Sequence, residues 1–426
     1  MVGVQSLGRV AVIAAFLVAI VVSAGCDRMT SNKERRARAT VAQERGDHRS
    51  AIIDLKTVLQ TEPDNGGARK QLGMVYLDLS NGAEAAKELK RARDLGVPAA
   101  ELAIPLVRAL SLYLAYEEAA ETAGASLIEA DSAGPDYKAS LLALQGHAYL
   151  AFGKVEKARA NYAQALSFSA AAPDALLGNA RIAVFEQNRM SAKTLLKALL
   201  ETSPKFADAW RLLADLNRID NLPTEAEAAY DNTIANRAFD PDSHLYRGLM
   251  RVALNKLDAA REDLSWLQKK VKGAAGTFFL GGVIAFADKR YADAETELLQ
   301  TLKVDENYAF ATYYLALATA EQGKYEQAEA NFSSYLRRIP SDLAANKALA
   351  ALKLRRGDAA GAKNILLAQS ARAPDDDEIA EMLAQIEFAV GDPAKGVEIL
   401  KKIAANSATS SKAYLQLGLE QIGVGA

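Results

Sequence analysis

The residues of this sequence best suited to chemistry are one cysteine, three histidines and one run of four carboxylates. The histidines His48, His147 and His244 lie about a hundred residues apart, and none has a second metal-binding side chain at helical spacing. We therefore expect no metal site and interpret the histidines as solvated or groove-lining residues.

The four consecutive carboxylates from Asp375 to Glu378 have the composition of a cation site. They directly follow Pro374 and open a predicted helix, where carboxylates interact favourably with the helix dipole. We interpret this run as a helix cap.

Nothing in the sequence is typical of a catalytic site. There is no glycine-rich phosphate loop, no strand pattern, and no serine or cysteine in the sharp turn that presents a nucleophile. We predict that the protein is not an enzyme and needs no cofactor. With 51 Lys and Arg against 53 Asp and Glu, the net charge of -2 provides no general attraction to nucleic acid. We expect neither nucleic acid nor a small-molecule substrate as a ligand.

Cys26 is the only cysteine, which excludes an intramolecular disulfide and a cysteine cluster for zinc or iron–sulfur. It follows Arg9, an apolar run from Val10 to Val22 and three small residues, an order typical of a secretory signal. The apolar run is shorter than the roughly 20 residues that span a bilayer. A permanent transmembrane helix is therefore the alternative interpretation.

The small residues directly before Cys26 resemble the lipobox of bacterial lipoproteins. The resemblance implies a signal peptide over residues 1–25, a covalent lipid on Cys26 and a linker over residues 26–31. Ser23 stands where the family prefers leucine, and the alternative is cleavage after Ala24 with a free cysteine behind it. Since several acyl chains anchor a protein stably, we expect attachment to the periplasmic side of a bacterial membrane, inner or outer.

A period of 34 residues organises the rest of the chain. The eighth and twentieth places of each repeat hold mostly glycine or alanine, as at Gly146 and Ala158. Two antiparallel helices would cross there, because small side chains let the backbones touch. Place twenty-four holds an aromatic or aliphatic residue, such as Tyr162 or Leu196, which we expect in the core. The repeats start at residues 32, 66, 100, 139, 173, 207, 241, 275, 309, 343, 377 and 411.

This pattern resembles the tetratricopeptide repeat (TPR) family. The resemblance implies an all-α, right-handed superhelical solenoid of about twelve helix-turn-helix repeats over residues 32–426, in which neighbouring pairs bury each other's apolar faces. Five extra residues around 133–135 shift the register once, and the repeat from 411 holds one helix, either a cap or the start of a continuation. The glycines expected to end the first helix of a pair are Gly46, Gly82, Gly153, Gly323, Gly357 and Gly391.

In TPR proteins the concave surface is lined by the first helix of each pair, at places two, five, nine, twelve and thirteen. No asparagine occupies place nine, which excludes the TPR submode that clamps a terminal carboxylate. In the repeats from 241, 275 and 309 these places are mostly apolar, beside charges in the repeat from 207. Such a surface suits an amphipathic or extended protein segment; the alternative is that curvature buries it as core. The predicted groove consists of Arg211, Asp215, Arg218, Leu245, Leu249, Phe279, Val283, Phe286, Phe310, Tyr313 and Leu317.

The stretches at residues 51–56, 72–76 and 86–98 are similar to the start of the TPR lipoproteins that accompany exosortase, the PEP-CTERM protein-sorting system of exopolysaccharide-producing bacteria. The resemblance implies a periplasmic scaffold whose partners are other envelope proteins or peptide segments. The alternative is a TPR lipoprotein of another envelope machine, such as a pilus pilotin, an outer-membrane assembly factor or an alginate- or cellulose-type export scaffold.

Overall fold

The computed structural model describes residues 30–129 and 134–406. These residues form helices joined by short turns, without a strand. None of the described helices is both long and apolar enough to cross a membrane. The predicted signal peptide, Cys26 and the repeat from 411 lie outside the described residues.

The described helices follow one another as eleven pairs, each pair joined by a tight turn. In the order of the chain they are α1 (Asn32–Glu44), α2 (His48–Thr61), α3 (Gly66–Asp78), α4 (Gly82–Asp94), α5 (Ala99–Leu112), α6 (Tyr116–Glu129), α7 (Pro135–Ala151), α8 (Val155–Phe168), α9 (Pro173–Phe185), α10 (Arg189–Thr202), α11 (Ala207–Ile219), α12 (Pro223–Asn236), α13 (Pro241–Ala253), α14 (Leu257–Lys270), α15 (Ala275–Ala287), α16 (Tyr291–Val304), α17 (Ala309–Glu321), α18 (Tyr325–Arg338), α19 (Leu343–Arg355), α20 (Ala359–Ser370), α21 (Asp377–Ala389) and α22 (Pro393–Asn406).

The chain divides into two compact bodies. The N-terminal body ends at Asp240 and holds six helix pairs, α1 to α12; the C-terminal body begins at Pro241 and holds five, α13 to α22. In each body a helix packs against the next along the chain, and the first helices of most successive pairs also touch. Each pair thus covers the apolar face of its neighbour. The predicted all-α fold of repeated helix pairs is confirmed for the described residues.

Nine of the eleven pairs begin at the first residue of a predicted repeat, between Asn32 and Asp377. Of the other two, α5 begins one residue early, at Ala99, and α7 begins at Pro135 instead of Ala139. The register shift therefore lengthens α7 rather than inserting a loop after Pro135. Proline suits this place because the first helical residue needs no amide hydrogen and its φ is already helical.

Glycines at place eight of one repeat and place six of the next leave room for the aromatic ring of Tyr162. Tyr162 is fully buried between α7 and α9. A Cβ on Gly146 would lie 2.5 Å from Cε1 of Tyr162, and a Cβ on Gly178 would lie 2.4 Å from the same atom. The ring thus occupies the space that two missing side chains leave. The prediction that place twenty-four lies in the core is confirmed for Tyr162, Leu196, Tyr230, Leu298, Phe332, Leu366 and Leu400.

The turns inside the pairs follow the glycine prediction with one exception. Gly46, Gly153, Gly323, Gly357 and Gly391 all have positive φ, between 70° and 85°, where glycine avoids a steric penalty.

Gly82 does not end a helix, so that prediction is wrong. The positive φ of its turn, 55°, falls on Ser80, and Gly82 is the first residue of α4. A Cβ on Gly82 would lie 2.6 Å from the carbonyl oxygen of Ala109. Glycine is needed there for the close approach of α5.

The acidic run caps a helix, as predicted. Asp376 is the residue before α21, and its carboxylate accepts a hydrogen bond of 3.0 Å from the backbone amide of Ile379. Lys347 lies 3.2 Å from the same carboxylate and offsets its charge.

Candidate functional site

The first and sixth helix pairs of the N-terminal body meet. The ring of His48, at the start of α2, lies 5.9 Å from the ring of Phe239 at an interplanar angle of 74°. A Cβ on Gly46 would lie 3.9 Å from Cβ of Ala238, an ordinary van der Waals contact. The segment after α12 therefore rests on the turn between α1 and α2, and the six pairs surround a shared space.

That space is a cavity of about 820 Å³ to which all six pairs contribute side chains. Its volume lies within the range of about 300–1,000 Å³ typical of binding pockets. Most of the lining belongs to the first helices, at the places that line the concave surface of TPR proteins. The apolar lining includes Met74, Leu77, Leu112, Leu144, Leu177 and Phe239, and the ionisable lining consists of His48, Asp78, Arg108, His147, Asp174, Arg181, Asp208 and Arg237.

His147 occupies place nine of its repeat and is neutral. Burial and, secondly, the positive charge of Arg181 lower the pKa of His147 to about 3. Its Nε2 lies 3.0 Å from the carbonyl oxygen of Asp174. Because a carbonyl only accepts, the proton must be on Nε2. Nδ1 is then a hydrogen-bond acceptor.

The two aspartates on this side of the cavity are each paired with an arginine. Arg108 lies 3.4 Å from the carboxylate of Asp174, whose pKa is raised by burial against the opposing effect of Arg108. Arg237 donates a hydrogen bond of 2.5 Å to Asp208. Withdrawal from water favours a higher pKa for Asp208, but the charge of Arg237 and this hydrogen bond outweigh it and hold the pKa below its ordinary value.

Arg181 differs from these arginines. It projects from α9 into the cavity and is part-buried. Within residues 30–129 and 134–406, no carboxylate lies within ion-pair distance of its guanidinium and no side chain accepts a hydrogen bond from it. Its charge still acts at longer range on Asp174 and Asp208. The cavity therefore holds one guanidinium with its hydrogen-bonding capacity unused.

Two family models, both described as tetratricopeptide repeat, match the sequence. One covers residues 149–216 and 319–386, and the other covers residues 36–100 and 279–342. Together they span more than half of the chain. The chain belongs to the tetratricopeptide repeat family. No curated protein sequence matches it.

Several solved structures are similar to this TPR chain. One is in the crystal structure of the APC/C hetero-tetramer Cut9-Hcn1, with 15% sequence identity, a TM-score of 0.46, and coverage of 95% of this chain and 86% of that chain. Another is the human IFIT1 dimer with m7Gppp-AAAA, with 16% identity, a TM-score of 0.44, and coverage of 81% of this chain and 90% of that chain.

The charged members of the predicted groove pair with one another in the N-terminal TPR body. Arg211 donates a hydrogen bond of 2.8 Å to Asp240 and lies 3.3 Å from Asp215. The hydroxyl of Tyr230 donates a 2.6 Å hydrogen bond to Asp215, and Arg218 donates to the same hydroxyl at 3.3 Å. These side chains form an internal network that does not line the cavity.

The apolar members of the predicted groove lie in the C-terminal TPR body. Leu245, Phe279 and Val283 are buried in its core, as the alternative interpretation expects. Phe310 is 54% exposed. The others, Leu249, Phe286, Tyr313 and Leu317, are part-buried and pack against the core. The binding role of this stripe stays a prediction.

Some charged residues of the cavity follow a pattern in the sequence, but a search for apolar side chains does not find it. Place nine holds Arg108, His147 and Arg181 in three successive repeats. Apolar side chains at concave places are attracted to the core between pairs, whereas charged ones remain at the open surface. The three successive ionisable residues at place nine are therefore a sequence signal for this part of the cavity wall.

Proposed function

We propose that this TPR protein is a non-enzymatic scaffold that holds a segment of a partner protein in the cavity of its N-terminal body. TPR repeats support protein interaction in general, and the cavity lies at the concave places that the family uses for it. The observation that carries the proposal is the lining, which combines part-exposed apolar side chains such as Met74 and Leu77 with hydrogen-bonding groups. Such a surface matches a segment with both kinds of side chain.

The scaffold is anchored to the periplasmic side of a bacterial membrane through a lipid on Cys26 in this proposal. The support is the order of charged, apolar and small residues before Cys26. Replacement by Cys26→Ser removes the acylated sulfur, so we expect the variant to leave the membrane fraction. Retention of that variant in washed membranes would contradict lipid anchoring.

The pathway that the scaffold serves is exosortase-linked exopolysaccharide production and protein sorting. The support is the similarity of residues 51–56, 72–76 and 86–98 to the lipoproteins of that system. Gene neighbours distinguish this pathway from the alternative envelope machines named above. Exosortase and polysaccharide-synthesis genes would support the proposed pathway, and pilus or secretin genes would support an alternative machine.

The binding site is tested by filling the cavity. Met74→Trp places a bulky ring among the lining side chains, while the matched change Met190→Trp adds the same ring at a side chain that is 77% exposed and outside the cavity. We expect the first variant, and not the second, to lose capture of envelope partners by the full-length protein in detergent. Equal capture by both folded variants would show that partners bind elsewhere.

A further inference from the structure

Arg181 indicates the chemistry of the segment that the cavity would bind under the function proposed above. The guanidinium of Arg181 is part-buried in the cavity wall, and a charge partly withdrawn from water is stabilised by an anionic partner. Each other arginine of the cavity wall has its carboxylate: Asp174 for Arg108, and Asp208 for Arg237. In the described chain, Arg181 is the member of this set without one.

The two wall aspartates do not prevent a negative group from approaching Arg181. Asp208 shares its charge with Arg237, which also lies 3.4 Å from Asp240. Asp174 is paired with Arg108 at 3.4 Å. Three arginines thus meet two aspartates on this wall.

The remaining carboxylate of the cavity, Asp78, belongs to the second repeat. It accepts a hydrogen bond of 2.6 Å from the side-chain amide of Gln43 and lies 3.8 Å from Nε2 of His48. Asp78 therefore already interacts with Gln43 and His48.

Apolar side chains line the same cavity as the guanidinium. Leu177 precedes Arg181 by one turn of α9, so the two residues share a face of that helix. Leu144 on α7 and Met74 and Leu77 on α3 also line the cavity. An occupant that satisfies Arg181 would therefore place aliphatic groups against this apolar lining.

We infer that the cavity binds a peptide segment in which an acidic side chain lies between aliphatic ones, with the carboxylate held by Arg181. A planar guanidinium can donate two parallel hydrogen bonds to a carboxylate, which gives the contact a defined geometry. With the proton on Nε2, Nδ1 of His147 can accept a hydrogen bond and suits a backbone amide of the same segment.

The test uses the full-length protein in detergent and fluorescently labelled short peptides blocked at both ends. One peptide alternates leucine with glutamate, a second replaces glutamate by glutamine, and a third contains glutamate without leucine. We expect the first peptide to bind most tightly, since it alone supplies both charge and aliphatic groups. Equal affinity for the glutamate and glutamine peptides would overturn the inference.

Variants at position 181 separate charge from shape. Arg181→Gln should weaken binding of the leucine–glutamate peptide about tenfold, the scale of one charge-assisted hydrogen bond, and leave the glutamine peptide unchanged. Arg181→Lys keeps the charge and should restore part of the affinity. The control Arg189→Gln removes an arginine of the same body whose side chain is 54% exposed and outside the cavity, and should have no effect.

Competition decides whether the site recognises a segment or any anion. Free glutamate and inorganic phosphate should displace the peptide only weakly, because neither supplies aliphatic contacts; displacement as effective as that by unlabelled peptide would overturn the inference. If Met74→Trp abolishes partner capture while Arg181→Gln does not, the cavity still binds partners but the carboxylate inference fails. If Met74→Trp leaves capture intact, the proposed site fails instead.

Discussion

The imidazole of His48 and the phenyl ring of Phe239 meet edge to face at 5.9 Å, although the two residues lie near opposite ends of the N-terminal body in the sequence. In a stack of repeats, most contacts join neighbouring pairs. This contact joins the first pair to the segment after the sixth, so it closes the body around the cavity. The closure is an addition to the repeat fold and can be removed without changing any repeat.

Replacement of Phe239 by alanine is expected to loosen the closure. An edge-to-face aromatic pair contributes about 0.5–1.5 kcal/mol beyond buried area, so the loss should be local. We expect faster amide hydrogen exchange at residues 46–50 and little change in α7 to α10. The control Phe168→Ala removes a ring that is 41% exposed, away from the contact. Unchanged exchange at residues 46–50 in the Phe239 variant would show that the contact does not hold the two ends together.

The pH dependence of stability should reflect His147. Its folded-state pKa is about 3 and its ordinary value is 6.5, so between these values the unfolded chain binds a proton that the folded protein does not. The free energy of unfolding should therefore decrease as the pH falls from about 6.5 towards 3, by at most about 1.4 kcal/mol per pH unit from this group. Denaturant melts over this range measure the effect.

The variant His147→Gln isolates that contribution. Glutamine retains an amide that can donate to the carbonyl of Asp174 but does not titrate. Its stability should depend less steeply on pH, so that the stability of the unmodified protein relative to the variant decreases as the pH falls. Parallel curves across the range would contradict a neutral His147 with a lowered pKa.

Addition of a methyl group at Gly178 should destabilise the N-terminal body. The new Cβ would lie 2.4 Å from the buried ring of Tyr162, and overpacking of this kind costs about 1–3 kcal/mol. The matched change Gly281→Ala places a methyl group 3.4 Å from the flexible end of Glu297, where the helix propensity of alanine favours the variant. Thermal melts should show a lower midpoint for the first variant only. A lower midpoint for both would point to a general intolerance of alanine.

Two phenylalanines of the predicted groove should respond differently to serine. Phe279 is 4% exposed and touches the ring of Tyr308 at 4.8 Å, so Phe279→Ser should cost about 3 kcal/mol or more. Phe310 is 54% exposed, so Phe310→Ser should leave the fold nearly unchanged. Chemical denaturation measures both. Partner capture by the folded Phe310 variant then tests the apolar stripe, because reduced capture cannot be attributed to unfolding.

The repeat register is determined by the sequence alone. Gly146 and Tyr162 show the reason: the small residue at place eight leaves the space that the large one at place twenty-four fills in the same pair. Nine of the eleven pairs begin where the same period places them, and the capping role of Asp376 also followed from the sequence. These features depend on contacts between residues close in sequence or in adjacent repeats, and the period encodes such contacts directly.

The tertiary structure alone decided which concave side chains face a cavity. Phe279 and Arg181 both belong to the first helix of a pair, yet Phe279 enters the core and Arg181 lines open space. The meeting of His48 with Phe239 also has no signal in the repeat pattern. Both outcomes depend on curvature, which accumulates from small rotations between successive pairs. The packing inside a repeat depends on that repeat alone. The place where the first of six repeats meets the last depends on the rotations between all of them.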